Sequence, residues 1–388
     1  MIYILIILYC LFCIIVYDGK ERKPQNIYNY WFLVGVLILL SGIQYRMGAD
    51  IILYMTEYNY YEKDFSISYL FGFSSRRPLW VLFNILCKSL GFSFVVFKSI
   101  IALFVNIVIA KFIVRRTKYI YTALLVYFLI LYFHFNFNVL RNSISICFFL
   151  LSYGFLEKKN ILPFILLNIV AIGFHESVII PALFSSILFF VNIGNKKFII
   201  PILILIGILL PLIPANIREF FQLASLYYDV GIVGERAVHY IEKDNYSDFA
   251  LSFFGYSEWV IKLGFFVWLY YKYSHRKEYR DYTTPLFLYI LFLILNNAIP
   301  ILYRIAEYYT LFYIVCITEV VKEDNHDKIR LNKFLVALVF VFYIHTLFLF
   351  VGEKEIIQYY PYTSIIDKNT VPQREKMYGE KEYFDFIR

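Results

Sequence analysis

The chain has 388 residues, of which 61% are hydrophobic, 21% are aromatic and 17% are charged. Soluble domains are about 45–50% apolar and about 25% charged, so this chain would expose far more apolar surface in water than a folded protein tolerates. The composition therefore excludes a soluble domain and predicts an all-α, polytopic membrane protein. The net charge of +8 is not by itself evidence for a nucleic-acid partner, because its meaning depends on where the charges lie, and we predict no such partner.

Mostly apolar runs with the length of a membrane-crossing helix recur along the whole chain. They predict about twelve spans, at 1–17, 30–44, 93–114, 119–135, 138–156, 161–174, 177–193, 198–213, 251–271, 285–300, 303–321 and 334–351. The stretch 78–92 begins with Pro78 and contains Asn84 and Lys88, which predicts a re-entrant or short helix. We therefore predict one polytopic membrane domain over 1–351, followed by a polar tail over 352–388.

The orientation of the spans follows from Lys and Arg, which stay on the cytoplasmic side when they lie in short loops. These residues occupy alternate connections, beginning with Lys20, Arg22 and Lys23, and few lie in the connections between. The alternation requires that 78–92 does not cross the bilayer. It predicts that the loops 45–77 and 214–250 lie on the outer face, and we assign the tail to the same face.

Ionisable residues at the ends of apolar spans are informative, because charge is costly near lipid. Six places on the predicted outer face carry polar or charged residues: Tyr45 to Asp50 with Tyr54, Arg76 with Arg77, Asn138 to Asn142, Phe174 to Ser177, Glu235 with Arg236, and Tyr303 with Arg304 and Glu307. Each has a structural alternative. An arginine can extend to lipid phosphate, Arg46 and Asp50 are spaced for a local ion pair, and a histidine at a turn can be purely structural.

Several arginines on one face, with a carboxylate and a histidine, suit a site that binds a pyrophosphate and moves a proton. The planar guanidinium matches phosphate oxygens, and a histidine can act as general base for a sugar hydroxyl. Gly48 permits a sharp turn between Arg46 and Asp50. His175 and Glu176 do not form a zinc motif, since Ile179 stands where a second histidine is needed. We predict neither a metal nor a cofactor.

The order of these motifs resembles the EpsG-like, Wzy-type polysaccharide polymerases of bacteria. The pieces that match are similar to that family's Y-R-x-G-x-D-x-x-x-Y, N-x-x-R-Q and F-H-x-S: Tyr45-Arg46-Met47-Gly48-Ala49-Asp50 with Tyr54, Asn138-Val139-Leu140-Arg141-Asn142-Ser143, and Phe174-His175-Glu176-Ser177. Arg304 and Tyr360-Pro361-Tyr362 also look like family features. Ala49 and Asn142 are mild departures, and the resemblance assigns no role to Arg76 and Arg77.

The resemblance implies a glycosyltransferase of the bacterial plasma (inner) membrane. It would polymerise polyprenyl-diphosphate-linked oligosaccharide repeat units on the face toward the periplasm or cell exterior, and so build an O-antigen, capsule or exopolysaccharide. The implied partners are this lipid-linked oligosaccharide and membrane lipid, with a chain-length regulator and a flippase of the same pathway as further candidates. A ligase or other transferase for lipid-linked glycan, and a flippase or exporter, stay open as alternatives.

Within this interpretation the candidate site residues fall into two groups. The catalytic candidates are His175, Asp50 and Arg141, with His175 as the base for the acceptor hydroxyl and Asp50 either orienting an arginine or replacing His175 as the base. The substrate-binding candidates are Arg46, Arg304, Tyr45, Tyr54, Arg236, Arg76 and Arg77. Arg46, Arg141 and Arg304 would bind the diphosphate and stabilise its charge as it leaves.

Overall fold

The computed structural model describes residues 2–18, 27–61, 77–191, 205, 253–274, 280–296, 302–321, 352–367 and 369–378. Within these ranges the chain is helical, and its only β-type pairing is one isolated bridge between Gln44 and Ser364. The prediction of an all-α chain is therefore confirmed for the described part. The predicted spans 198–213 and 334–351 and the loop 214–250 lie outside the described residues, apart from residue 205.

Most of the helices correspond to predicted spans. In the first half they are α1 (Ile2–Val16), α2 (Ile27–Gly42), α3 (Ile51–Tyr60), α4 (Pro78–Ser89), α5 (Phe94–Arg116), α6 (Ile120–Tyr127), α7 (Leu140–Glu157), α8 (Ile161–Phe174) and α9 (Ile179–Val191). In the second half they are α10 (Phe253–Ser274), α11 (Arg280–Asn296), α12 (Tyr303–Ala306), α13 (Thr310–Val321) and α14 (Gly352–Tyr359). Residues 372–378 form a further short helix.

The predicted number of about twelve spans is not confirmed. By length and composition, α5 is the one helix of the described residues that could cross a membrane unaided, and the other apolar helices, such as α1, α2 and α8, are shorter. Two predicted spans are interrupted. The span 119–135 continues beyond α6 as π-helical turns, and the span 303–321 changes to a 3₁₀ turn at Glu307–Tyr309 before α13 begins.

Helices α3 and α4 lie in the region between the second and third predicted spans. The sequence predicts a loop over 45–77, but the structure contains α3 there, with Ile51, Tyr54 and Tyr58 buried along one face. A helix of ten residues is too short to cross a membrane, so the hydropathy pattern does not reveal α3. In 78–92, α4 confirms the short helix, and Pro78 occupies its first turn, where no backbone N–H is needed.

The core of the molecule is built around α5, α6 and α7. Helix α5 packs against α2 and α7, α6 packs against α1 and α13, and α7 packs against α8. Side chains such as Phe97, Tyr121 and Phe149 are buried there. In contrast, α1 and α8 present exposed leucines and isoleucines, including Leu8 and Leu162. Such an outer apolar surface suits contact with lipid rather than water.

Polar contacts distinguish two ends of the molecule. At the end of α5 marked by Arg116, which we call the basic end, Arg116 pairs with Glu157 at 2.6 Å and Tyr282 donates to the Arg116 carbonyl. At the end marked by Phe94, which we call the site end, Lys98 donates to the Gln44 carbonyl at 2.8 Å. The described residues that were predicted to lie on the outer face all gather at the site end.

Candidate active site

The Tyr45–Asp50 motif forms a tight loop between α2 and α3. Gly48 has a positive φ of 108°, and a Cβ atom there would lie 2.2 Å from the carbonyl oxygen of Phe137. Only glycine satisfies both conditions. The next backbone N–H, that of Ala49, donates to Oδ1 of Asn138 at 2.8 Å. The first motif is thus seated against the second, and the two lie together although 89 residues separate Ala49 from Asn138 in sequence.

The C-terminal segment, residues 352–378, folds over this loop. The Tyr45 N–H donates to the Thr363 carbonyl at 2.9 Å, and the Gly48 N–H donates to the Gln358 carbonyl at 3.2 Å. Arg374 is buried and donates to the Thr363 hydroxyl at 2.9 Å, and also to two backbone carbonyls. The sequence predicted only a polar tail here, so its close contact with the first motif is a finding of the structure.

Arg46 makes a bidentate ion pair with Glu375. Its Nε and Nη2 atoms lie 2.9 and 2.5 Å from the carboxylate oxygens, and its guanidinium lies 5.9 Å from the centre of the Tyr378 ring. About a quarter of the surface of each of these two side chains is exposed to solvent. The carboxylate that holds Arg46 therefore comes from the tail. A phosphate that binds to Arg46 would have to displace Glu375.

Arg141 lies in the first turn of α7, beside α3. Its guanidinium lies beside the hydroxyl of Tyr54 and interacts electrostatically with Tyr54, Glu57 and Glu176. Its Nε atom is buried and has no hydrogen-bond partner among the described residues. Buried polar atoms are nearly always paired, so an unpaired guanidinium N–H marks a place for an acceptor. Two predicted site residues, Arg141 and Tyr54, are thus in contact.

Arg77 and Glu176 form an ion pair beside Arg141. Arg77 immediately precedes α4, and its Nε donates to Oε2 of Glu176 at 2.8 Å. Burial raises the pKa of Glu176, but the hydrogen bond and positive charge of Arg77, together with a backbone hydrogen bond, outweigh this effect and lower the pKa to about 2. Glu176 is therefore a carboxylate at neutral pH, and it cannot serve as a general acid there.

His175 lies in the turn between α8 and α9. Its Nδ1 atom accepts the backbone N–H of Ser177 at 3.3 Å and lies 2.7 Å from the Ser177 hydroxyl. A backbone N–H can only donate, so Nδ1 carries no proton and the proton of a neutral ring is on Nε2. Ser177 in turn contacts Oδ1 of Asn142 at 3.1 Å and the hydroxyl of Tyr308 at 2.9 Å.

A second histidine lies on the other side of Asn142. Nε2 of His134 is 2.7 Å from one carboxylate oxygen of Glu307, and the other oxygen accepts from Nδ2 of Asn142 at 2.8 Å. Two predicted site residues, Asp50 and Arg304, interact electrostatically with His134. The sequence named Glu307 only as a neighbour of Arg304 and gave His134 no place in the site. The sequence feature that could have indicated this pair is Glu307, a lone carboxylate at the start of a predicted span.

The structure thus brings most of the predicted residues together at the site end. Tyr54, Arg77, Arg141 and His175 form one side of the site, Asp50 and Arg304 lie toward His134, and Tyr45 and Arg46 lie under the C-terminal segment. Arg76 and Arg236 lie outside the described residues. In the ranges that the structure describes, no group of three or more His, Cys, Asp and Glu side chains is arranged to hold a metal ion.

The fold and the site define a helical membrane protein in which arginines, carboxylates and histidines converge at one end of an apolar bundle. A sequence model of the EpsG family matches residues 27–364, and the chain belongs to that family. The resemblance found in the sequence is therefore confirmed, and it indicates a membrane-associated, polymerase-like glycosyltransferase of polysaccharide biosynthesis. Comparison with curated proteins and with solved structures finds no significant match.

Proposed function

We propose that the chain polymerises polyprenyl-diphosphate-linked oligosaccharide repeat units at the outer face of the bacterial plasma membrane. The observation that carries this proposal is the buried Nε of Arg141, which lacks an acceptor among the described residues at the point where the three family motifs converge. In the reaction, a sugar hydroxyl of the incoming unit attacks the anomeric carbon of the lipid-linked chain. The bond from that carbon to the diphosphate breaks, and the polyprenyl diphosphate leaves with the electron pair.

The arginines of the site supply the positive charge that such a leaving group needs. Arg141 offers an N–H that no described residue accepts, and Arg77 lies beside it through their common neighbour Glu176. Charge that develops in a site shielded from water is stabilised strongly by donors already in place. Arg46 and Arg304 are further candidates for binding the diphosphate. To do so, Arg46 would exchange its partner Glu375 for a phosphate oxygen.

His175 and Asp50 are the two groups that the sequence proposes for proton transfer. With Nδ1 engaged by Ser177, the Nε2–H of a neutral His175 is a donor, which suits a contact with an oxygen of the diphosphate. We therefore assign His175 the role of hydrogen-bond donor to the diphosphate leaving group. Asp50 is an acceptor whenever it is ionised, so it stays a candidate for the base.

The deciding experiment uses lipid-linked repeat units extracted from a strain that lacks the gene. Purified protein in liposomes should convert them into a ladder of polymers and release one polyprenyl diphosphate for each new glycosidic bond. Transfer of single units onto another lipid would indicate a ligase instead. Movement of intact units across the bilayer without new bonds would indicate an exporter, and either result would contradict the proposed polymerase.

The outer-face orientation predicts which introduced cysteines a membrane-impermeant maleimide will reach in intact cells. Tyr360→Cys at the site end should be labelled, whereas Lys118→Cys near the basic end should be labelled only after permeabilisation. Both positions are exposed, and the five native cysteines are buried, so background labelling should be low. Labelling of Lys118→Cys but not Tyr360→Cys in intact cells would show that the orientation is reversed.

A further inference from the structure

A cavity of about 540 Å³ opens beside His134 and Glu307, on the far side of Asn142 from His175. Cavities of this size, about 300–1,000 Å³, are typical of sites for small molecules. Leucine, isoleucine and tyrosine side chains from the π-helical turns after α6 and from α11, α13 and α14 form most of its wall. The polar groups on the wall are two amides, the Thr310 hydroxyl, several tyrosine hydroxyls, the His134 ring and the Glu307 carboxylate.

The polar lining suits a neutral, hydroxyl-rich ligand. No lysine or arginine is among the described residues that line the cavity, and the Glu307 carboxylate would repel a diphosphate. Asn296 also lines the cavity, and its buried Oδ1 has no hydrogen-bond partner among the described residues. Such an acceptor matches the hydroxyl of a sugar, and tyrosine rings offer flat apolar surfaces to the carbon face of the same sugar.

The His134 ring is oriented as a base. Because the carboxylate of Glu307 accepts a hydrogen bond, Nε2 carries the proton and the lone pair of the neutral ring is on Nδ1. Nδ1 makes no hydrogen bond to any described residue. Glu307 is itself fixed by the amide of Asn142, so the tautomer of His134 is set by two successive hydrogen bonds.

We propose that this cavity binds the non-reducing-end sugar of the acceptor repeat unit and that His134, oriented by Glu307, is the base of the transfer. The proposal rests on the proposed polymerase function. The acceptor O–H proton passes to Nδ1 of His134 while the oxygen bonds to the anomeric carbon, and the diphosphate leaves with the electrons of the broken bond. The imidazolium that forms is stabilised by Glu307, and it later releases its proton to water.

Asn142 lies between the proposed acceptor cavity and the proposed diphosphate site. Its Nδ2 donates to Glu307 on the acceptor side, and its Oδ1 accepts from Tyr308 and Ser177 on the His175 side. Arg141 precedes Asn142 in the chain. The proposed acceptor sugar and the proposed diphosphate site are therefore on either side of one residue, which is the arrangement that a direct transfer requires.

The sharpest test of the base is Glu307→Gln. A glutamine can still accept from Asn142, but its amide then donates to Nε2 of His134, so the ring proton moves to Nδ1 and the lone pair is lost. We expect the rate of polymer formation from extracted lipid-linked units to fall about 10²–10⁴-fold, the usual contribution of general base catalysis. Glu157→Gln, the same change in the ion pair at the basic end, should retain activity per folded molecule.

Two further measurements separate a base from a structural histidine, and a third tests the cavity. His134→Ala should be inactive and should regain activity when imidazole is added. The wild-type rate should fall toward acid pH, because a protonated ring has no lone pair to accept the hydroxyl proton; the charged groups that face the ring are Glu307, Asp50 and Arg304. Asn296→Ala should raise KM for the repeat unit about two- to tenfold, as expected for one hydrogen bond, with kcat little changed.

The outcomes distinguish this inference from the function on which it rests. If wild-type protein forms no polymer from the extracted units, the proposed polymerase is wrong. If wild-type protein forms polymer and both Glu307→Gln and His134→Ala retain more than half of its rate, the polymerase stands and His134 is not the base. Inactive Asp50→Asn beside active Glu307→Gln would assign the base to Asp50 and would overturn the proposal for His134.

Discussion

Arg141→Lys is expected to lower the rate of polymer formation about 10²–10³-fold, although the substitution keeps the positive charge. Removal of one preorganised donor from a site that stabilises developing negative charge has an effect of this size. Lysine cannot reproduce the planar fork of arginine. All its N–H donors are on one terminal nitrogen, so it has no counterpart of the Arg141 Nε–H, the donor that no described residue accepts.

Arg141→Ala should be more damaging than Arg141→Lys. Arg141 interacts electrostatically with Glu57 and Glu176, so its removal leaves two carboxylates near the place proposed for a diphosphate. Each extra unbalanced negative charge opposes the binding of an anion. The order of activity should therefore be wild type, then Arg141→Lys, then Arg141→Ala, measured as initial rates with the same lipid-linked units.

The matched control for Arg141 is Arg115→Lys. Arg115 is exposed near the basic end of α5, so this substitution makes the same chemical change far from the site. It should leave both the rate and the length of the polymer unchanged. If Arg141→Lys is as active as Arg115→Lys at equal amounts of folded protein, Arg141 does not stabilise the leaving group.

The sequence predicted which residues share the site end, because charge is costly within lipid and must gather where protein or water can satisfy it. This reasoning predicted a common depth for Arg141, His175 and Arg304, and in the structure all three lie at the site end. It could not predict their partners. Whether His175 contacts Ser177 or a carboxylate depends on the local turn geometry, which a hydropathy pattern does not contain.

Contacts between distant segments account for most of what the sequence did not reveal. Arg46 and Glu375 are 329 residues apart, and His134 and Glu307 are 173 residues apart. No periodicity links such positions, and their side chains meet only after the intervening helices have packed. The short helix α3 escaped prediction for a different reason, since its ten residues fall below the length of a membrane span.

Gly48→Ala is expected to destabilise the protein by about 3 kcal/mol or more and to abolish polymer formation. A non-glycine residue at a φ of 108° costs about 1–3 kcal/mol. In addition, the new Cβ would meet the Phe137 carbonyl at 2.2 Å, so one of the two segments must move. That movement would break the hydrogen bond from Ala49 to Asn138, and with it the contact between the first two motifs.

Alanine substitutions at two other glycines serve as controls that distinguish the cost of the positive φ from the cost of the steric clash with Phe137. Gly91 also has a positive φ, 77°, but nothing lies within 4 Å of the point that a Cβ atom would occupy there, so Gly91→Ala should cost only about 1–2 kcal/mol. Gly154 lies inside α7 with open space around it, and alanine there should stabilise the helix by about 0.5–1 kcal/mol. Thermal unfolding in detergent gives this order directly. If Gly48→Ala costs no more than Gly91→Ala, the close approach of the Tyr45–Asp50 loop to Phe137 does not exist in solution, and the site must be assembled differently.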